Sequence, residues 1–376
     1  MEIIGPDRLG VYVHIPYCAS KCQYCDFLSF AAPPDTRYLD ALCAEIRSCE
    51  GLPAIDTIYI GGGTPTVLPP SFIEKIFDEL FRHKVTADAE ITVESNPGTL
   101  DAHMLGALKR MGVNRLSLGL QAWDNARLRQ LGRIHTLEIF LKNWEAASAA
   151  GFDNINVDLM FALPGQSAEE WRETLERAAA LGTAHISAYA LTVEEGTPFG
   201  ELKRRGMLPQ VSDEDDRAMY ADAKRILRDQ GYEHYEISNF AKPGRYSRHN
   251  TNCWNRKNYI GFGLGAHSFI DERRYHNTAD MKKYLDANGC RQCLAEDMVQ
   301  LTEREAMSEF MFLGLRLVRG VSAENFKRRF GVPLARVFGA AVDKYAGMGL
   351  LMLEEDTVRL SDRGMDVANL VMSEFL

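Results

Sequence analysis

Short apolar runs alternate with amphipathic helical patterns through the first two-thirds of the chain. Parallel strands need a long crossover connection, usually a helix, so this alternation predicts an α/β fold with helices covering a parallel sheet. Six such units would form either an incomplete barrel or an open doubly wound sheet, and periodicity alone does not distinguish the two. The predicted strands are Val11–Pro16, Thr57–Gly62, Glu90–Ser95, Arg115–Leu120, Asn154–Met160 and His185–Leu191. The predicted helices are Tyr38–Ser48, Ser71–Phe81, Ala102–Met111, Leu137–Ala149 and Ala168–Leu181.

Residues suited to ligand binding follow these strands. Ligands of parallel α/β folds bind at the carboxyl ends of the strands. The glycine-rich segment Gly61–Thr66 follows the second strand, and Glu94, Gln121 and Asp158 lie at the ends of the third, fourth and fifth. Glycines allow close backbone approach to a ligand, although a tight turn would also use them, and the two carboxylates could instead be strand-end caps. Their shared location favours a binding site.

Three cysteines form a CxxxCxxC loop directly after the first strand: Cys18, Cys22 and Cys25. A structural zinc site normally takes two separated pairs of ligands, although His14 could complete such a set. Iron–sulfur clusters take thiolates, usually four. Three would leave one iron of a cubane open to the amine and carboxylate of a small molecule. We therefore predict a 4Fe–4S cluster on these residues.

Composition restricts the other partners. The net charge of −9 disfavours nucleic acid, because phosphates bind to basic surfaces. No apolar stretch approaches the roughly 18–20 residues of a membrane span, and MEIIGPDRLG does not resemble a signal peptide. We expect a cytoplasmic protein with at most peripheral membrane contact. Its 8 cysteines are too sparse for a disulfide scaffold. Cys290 and Cys293 form a CxxC pair without further candidate ligands.

The pattern changes near residue 300. Helices are predicted over Glu303–Leu317, Ser322–Phe330 and Leu334–Met348, followed by a hairpin in which LLML and VRLS flank EEDT. This order predicts a winged-helix-like α+β module. Its 10 Lys and Arg balance 11 Asp and Glu, which favours a docking or lid role over DNA binding. We divide the chain into a barrel (1–240), a connecting segment (241–299) and this module (300–376).

The sequence around the cysteines, YVHIPYCASKCQYCDF, resembles the radical S-adenosylmethionine (SAM) superfamily. Within it, the chain resembles the branch of oxygen-independent coproporphyrinogen III oxidases (HemN) and heme chaperones (HemW). The resemblance implies an incomplete (β/α)6 TIM-like barrel and a cluster that cleaves SAM reductively, with an electron donor such as flavodoxin or ferredoxin. It also implies the SAM contacts. These are Gly61, Gly62, Gly63 and Thr64 for the amino group, Tyr12, Glu94 and Gln121 for the methionine and ribose parts, Arg133 for the carboxylate and Asp158 for the ribose hydroxyls.

Three further features resemble the chaperones rather than the oxidases. Phe27 occupies a position where the oxidases carry an additional cysteine, and they also have an extension before the cysteine loop. The segment from His249 to Trp254, HNTNCW, resembles the heme-binding motif HNxxYW with Cys253 in place of tyrosine. The resemblance implies heme as cargo for apoproteins, with His249 as candidate ligand and Arg245, Arg248 and Arg256 near the propionates. The alternatives are a coproporphyrinogen III oxidase, another radical enzyme acting on heme, or a zinc-binding module.

Overall fold

One twelve-stranded sheet forms the centre of the structure, a computed structural model that describes residues 8–376. In chain order the strands are β1 (Arg8–Ile15), β2 (Tyr17–Cys18), β3 (Phe30–Ala31), β4 (Ala54–Gly62), β5 (Val85–Ser95), β6 (Arg115–Gln121), β7 (Ile155–Phe161), β8 (His185–Ala190), β9 (Glu233–Glu236), β10 (Asn239–Ala241), β11 (Tyr259–Phe262), β12 (His267–Ile270), β13 (Arg273–Asn277), β14 (Ala295–Gln300), β15 (Val321–Ser322), β16 (Leu351–Glu354) and β17 (Thr357–Leu360).

The helices follow the strands as expected of an α/β fold. They are α1 (Thr36–Ser48), α2 (Pro70–Leu80), α3 (Ala102–Arg110), α4 (Asn125–Gln130), α5 (Leu137–Ala149), α6 (Ala168–Ala180), α7 (Pro198–Arg204), α8 (Asp213–Asp229), α9 (Arg248–Trp254), α10 (Met281–Ala287), α11 (Arg291–Leu294), α12 (Glu303–Gly314), α13 (Ala323–Phe330), α14 (Leu334–Gly347), α15 (Asp362–Asp366) and α16 (Ala368–Ser373), with a 3₁₀ turn at Pro65–Val67. No helix within residues 8–376 is long and apolar enough to cross a membrane.

The predicted parallel sheet is confirmed. The order β14-β13-β12-β11-β1-β4-β5-β6-β7-β8-β10-β9 places the six predicted strands side by side in chain order. Each of these six pairs in parallel with the next. The sheet ends at β14 and β9 without closing on itself, so the barrel is incomplete.

Side chains alternate along the parallel strands in a way that creates a polar interior. Val11, Val13 and Ile15 of β1 are buried in the hydrophobic core. Alternate positions on the next strands, including Tyr59 and Glu94, line an internal cavity instead. Because TIM-like barrels usually fill their interior with branched apolar residues, polar residues here mark a binding site.

The segment expected to connect the two domains contributes to the main sheet. β11 pairs in parallel with β1, which makes it a seventh parallel strand, and β12, β13 and β14 extend the sheet from it in antiparallel fashion. The glycines at 261, 263 and 265 follow or end β11, where a Cβ on Gly261 would lie 2.3 Å from the carbonyl oxygen of His267. A side chain at position 261 would therefore clash with the backbone of β12.

The C-terminal module has the three predicted helices and the predicted hairpin. It also contains the short strand β15, which pairs with β17, and two short helices after the hairpin. Phe326, Phe338 and Phe375 form its core. An ion pair between Arg256 and Glu309 of α12 joins the module to the preceding segment.

Candidate functional site

A cavity of about 350 Å³ opens at the carboxyl ends of β4 to β8, a volume typical of small-molecule sites. The cysteine loop forms part of its wall. Most of the predicted ligands line it: Cys18, Cys22, Cys25, Gly62, Gly63, Glu94, Gln121, Arg133 and Asp158. Thr64 lines a smaller adjoining cavity together with Cys22, Asn96 and Arg133. Tyr12, Gly61 and His249 line neither cavity, and the rings of Tyr12 and His249 lie 6.3 Å and 5.3 Å from that of the lining residue Tyr59.

The three cysteines of the loop are free and partly exposed. Cys18 Sγ accepts a hydrogen bond from Thr64 at 3.6 Å, and Cys22 Sγ accepts one from Arg133 at 3.5 Å. Within residues 8–376, no three His, Cys, Asp or Glu side chains converge closely enough for a single metal ion. The thiolates of a cubane bind three different irons and therefore need a wider spacing.

His14 does not offer a fourth zinc ligand. Its Nε2 donates to the carbonyl oxygen of Leu28 at 2.8 Å, so its Nδ1 accepts from the Tyr12 hydroxyl at 2.9 Å. Burial lowers the pKa of His14, which is consistent with a neutral ring that makes two hydrogen bonds. The ring instead supports the glycine-rich segment.

Glycine is required sterically at all three positions of that segment. A Cβ on Gly62, where φ is +108°, would lie 2.6 Å from the His14 ring. A Cβ on Gly63 would lie 2.5 Å from the carbonyl oxygen of Tyr17, and one on Gly61 would lie 2.8 Å from the Glu94 carboxylate. The backbone therefore reaches the cavity surface in a conformation that other residues would disturb.

Glu94 joins the glycine segment to the barrel interior. Its Oε1 accepts from the Tyr59 hydroxyl at 2.6 Å, and its Oε2 accepts from the Gly62 amide at 3.2 Å. Burial raises the pKa of Glu94 to about 7. The carboxyl group is thus close to half ionised at neutral pH, and the two hydrogen bonds favour its ionised form.

Arg133 presents a cation to the cavity. It donates to the carbonyl oxygen of Gly119 at 2.6 Å and to the Asn96 side chain. Among residues 8–376, no carboxylate lies within ion-pair distance of its guanidinium, and the same holds for Arg115, which also lines the cavity. An unpaired guanidinium in a cavity is suited to an anionic ligand group such as a carboxylate.

Asp158 and Gln121 complete the wall. The Asp158 carboxylate accepts from Ser117 Oγ and Asn156 Nδ2, each at 2.9 Å. These bonds leave lone pairs for hydroxyl groups of a ligand. Gln121 ends β6 at a register shift with φ of +73°, a conformation that is costly for a non-glycine residue and is often found at binding sites.

Several lining residues were not predicted. They are Tyr59, Asn96, Arg115, Asn156, Ser187, Tyr189 and Asn250. Five of these seven lie on strands, and Tyr59 and Asn156 lie two residues before a predicted site residue. The period-2 alternation of polar residues along the strands contains that signal.

His249 lies outside the cavity and is 6% exposed. Its Nδ1 is 3.0 Å from Thr57 Oγ1, its backbone amide donates to Glu90 at 3.0 Å, and its ring lies 5.3 Å from that of Tyr59. Burial lowers the pKa of His249 to about 4 and raises that of Cys253 to about 12. The imidazole is therefore neutral but enclosed by the protein. A role as heme ligand stays a prediction, and it requires the ring to become accessible.

The arginines expected beside heme propionates are engaged within the protein. Arg245 pairs with Asp153 at 2.8 Å, and Arg248 lies 3.7 Å from Asp88. Arg256 has a fully buried side chain that pairs with Glu272 at 2.6 Å and Glu309 at 2.8 Å. Phe262, an aromatic residue of the same segment, is completely buried. Arg245 and Arg248 thus hold the segment to the barrel, and Arg256 joins it to the C-terminal module. In this structure these residues do not form a free porphyrin surface.

Comparisons with known proteins cover nearly the whole chain. Residues 12–178 match the radical SAM superfamily, and residues 301–367 match the HemN C-terminal domain. A protein of Bacillus subtilis named heme chaperone HemW is 38% identical over 98% of this chain and 99% of its own length. A HemW protein of Lactococcus lactis is 35% identical over 98% and 97%. The solved structure of Escherichia coli coproporphyrinogen III oxidase (HemN) superposes with a TM-score of 0.85 at 23% identity, over 99% of this chain and 91% of that one.

Proposed function

Because the chain belongs to the radical SAM superfamily, in its HemN/HemW branch, we propose that it is a heme chaperone. In this proposal the protein binds a 4Fe–4S cluster and SAM, takes up heme and delivers it to apoproteins. Similarity to proteins named heme chaperones, over almost the full length of both chains, is the observation that carries the proposal. The likeness to the HemN structure supports the fold alone, since its identity is 23%.

The residues of the cavity fit a cluster with SAM. Cys18, Cys22 and Cys25 would hold the cluster, which when reduced supplies the electron for SAM cleavage. The glycine segment would position the methionine amino group against backbone carbonyls, and Arg133 would bind the carboxylate as the unpaired cation of that wall. The assignment of Arg133 is supported by the absence of a carboxylate partner among residues 8–376.

The remaining wall would bind the nucleoside part. Asp158, fixed by Ser117 and Asn156, has lone pairs directed to ribose hydroxyls. Glu94, held by Tyr59, would accept from a hydroxyl or lie near the sulfonium charge. Tyr24 and Phe27 line the cluster side of the cavity and would limit access of water.

Phe27 separates the chaperone proposal from the oxidase alternative. Its side chain is 65% exposed at the cavity and occupies the position of the additional oxidase cysteine. A phenyl ring cannot ligate iron or exchange protons. We therefore expect SAM binding without conversion of coproporphyrinogen III.

One anaerobically reconstituted sample tests both functions. We would titrate hemin while recording the Soret band, then add apomyoglobin and follow heme transfer. In parallel, coproporphyrinogen III would be supplied with SAM and a flavodoxin or ferredoxin reducing system. Saturable hemin binding with transfer, and no protoporphyrinogen IX, is expected. Robust protoporphyrinogen IX formation would contradict the proposal, as would the absence of saturable hemin binding.

The proposal includes a location and partners. We infer a cytoplasmic location from the sequence, where a flavodoxin-type or ferredoxin-type donor would reduce the cluster. Heme-accepting apoproteins are the expected partners of the loaded form. Fractionation of cells that express a tagged chain would test the location, and recovery in a secreted or integral-membrane fraction would contradict it.

A further inference from the structure

The CxxC pair is the sequence motif that the proposed function leaves unused. Cys290 and Cys293 flank the start of α11, and both side chains are exposed. Their Cα atoms lie 5.3 Å apart and the two sulfurs are joined as a disulfide. Neither residue lines the cavity of the cysteine loop. Disulfides in cytoplasmic proteins are usually catalytic or redox-sensing, so an exposed pair in such a protein requires an explanation.

Arg291, between the two cysteines, points in the opposite direction, into the protein. Its guanidinium lies 3.2 Å from Glu45 and donates to the Tyr275 hydroxyl at 2.9 Å. It also lies 5.1 Å from the centre of the Phe262 ring. The backbone that carries the exposed cysteines therefore also positions a largely buried cation.

Glu45 depends on that cation. Its side chain is completely buried, and among residues 8–376 Arg291 is the one cation within ion-pair distance. The carboxylate also accepts from the Gly263 amide at 2.9 Å, from Asn277 at 2.7 Å and from the Tyr284 hydroxyl at 2.7 Å. A buried carboxylate that loses its cation is strongly destabilising. Displacement of Arg291 would therefore destabilise the hydrogen-bonded groups around Glu45.

We propose that Cys290 and Cys293 form a thiol–disulfide exchange site for dithiol partners, and that its redox state controls how firmly Arg291 holds Glu45. The disulfide closes a loop of four residues that contains Arg291. Reduction opens this loop, and the backbone at Arg291 gains freedom that weakens its contact with Glu45. Gly289, immediately before the pair, packs so closely on Ala44 of α1 that a Cβ would lie 2.6 Å from the Ala44 carbonyl carbon. The pair is thus fixed against the helix that carries Glu45.

The exchange reaction balances with a dithiol as the only other reactant. A thiolate of the partner attacks one sulfur of the pair, the Cys290–Cys293 bond breaks and a mixed disulfide forms. The second thiolate of the partner attacks that mixed disulfide and releases both cysteines. Two electrons and two protons pass from the partner dithiol, which becomes a disulfide. The reverse reaction oxidises the pair.

Peptide mapping tests the exchange directly, because trypsin cleaves after Arg291 and separates the two cysteines. Holoprotein would be equilibrated with excess glutathione disulfide or with dithiothreitol, alkylated and digested. Peptides 284–291 and 292–304 should be recovered as one disulfide-linked species after oxidation, and as two alkylated species after reduction. The exchange proposal is overturned if the linked species never forms, if dithiothreitol fails to open it, or if either cysteine is linked to another cysteine such as Cys49.

Thermal unfolding tests whether the redox state of the cysteine pair affects the contact between Arg291 and Glu45. Reduction should lower the Tm of the wild type by about 2 °C or more. In Glu45→Gln, which keeps the size of the side chain but removes its charge, reduction should lower the Tm less. The disulfide constrains the unfolded chain of wild type and Glu45→Gln equally. The difference between their Tm shifts on reduction therefore reports the Arg291–Glu45 contact. Equal shifts would overturn the control by redox state. If Glu45→Gln does not fold, Arg291→Lys provides the same comparison, since it keeps the charge but loses the fork geometry.

Discussion

Removal of the Tyr59 hydroxyl should make SAM binding strongly pH-dependent. Tyr59 donates to Glu94 at 2.6 Å, and this bond opposes the burial that raises the pKa of Glu94 to about 7. Tyr59→Phe keeps the ring and its contact with the His249 ring but removes that donor. The ionised form of Glu94 loses stabilisation, so its pKa rises further.

The structure sets the size of this effect. A hydrogen bond to a charged group contributes about 1.5–3 kcal/mol, and one pKa unit corresponds to about 1.4 kcal/mol. The pKa of Glu94 in Tyr59→Phe should therefore rise by roughly 1–2 units. At pH 7 the ionised fraction would fall from about one half to roughly 1–10%. If the ionised carboxylate binds SAM, affinity at pH 7 should fall about 5–50-fold and recover as the pH rises through the new pKa.

Equilibrium SAM binding between pH 6 and pH 9.5 would measure this shift on reconstituted protein. The wild-type affinity should rise with pH through about 7, and the variant should show the same rise at higher pH. Tyr232→Phe is the matched control, because its buried hydroxyl donates to the Thr183 carbonyl at 2.7 Å and does not line the cavity. Identical affinity and pH profiles for wild type and Tyr59→Phe would refute the role of Glu94 in SAM binding.

Three further predictions concern the cofactors. Gly62→Val should abolish SAM binding because its Cβ would lie 2.6 Å from the His14 ring at a φ of +108°. Iron analysis should still give about four irons per chain. Unaltered SAM affinity would mean that the glycines form a turn and do not bind SAM. Replacing Cys18, Cys22 or Cys25 with alanine should abolish bound iron and the cluster absorption band, whereas Cys290→Ala should retain both. Retention in all three loop variants would overturn the ligand set. A hemin titration should show a large loss of the Soret change in His249→Ala but not in Cys253→Ser, whereas loss only in the second would move the ligand to Cys253.

Sequence periodicity predicted the parallel strands well because they are regular, whereas the choice of a barrel over an open sheet came from the family resemblance. Each predicted strand agrees with the observed one within a few residues except β5, which starts five residues earlier than expected, at Val85. Alternation of apolar and polar residues is local information, and it fixes both the strand and the face that is buried. The glycine segment and Glu94 were found for the same reason, since they follow recognisable strands.

The segment from 241 to 299 could not be predicted in the same way. β11 is only four residues long, and its pairing with β1 joins residues about 250 positions apart. The arginines and aromatic residues of this segment resemble a ligand-binding surface until their partners are known. Arg248 and His249 find those partners at Asp88 and Glu90, some 160 positions earlier. Local sequence contains no signal for such distant pairing.

The position of His249 links the two predicted ligands through one side chain. Its ring lies 5.3 Å from Tyr59, and Tyr59 donates to Glu94 on the wall of the SAM cavity. Ligation of iron by His249 would require the ring to leave Thr57 and Tyr59, because both now enclose it. Tyr59 would then lose its contact with the His249 ring while still donating to Glu94. Heme at His249 and SAM at Glu94 would thus compete for, or cooperate through, the position of Tyr59. Since binding linkage is reciprocal, SAM must change the affinity for heme by the same factor by which heme changes the affinity for SAM.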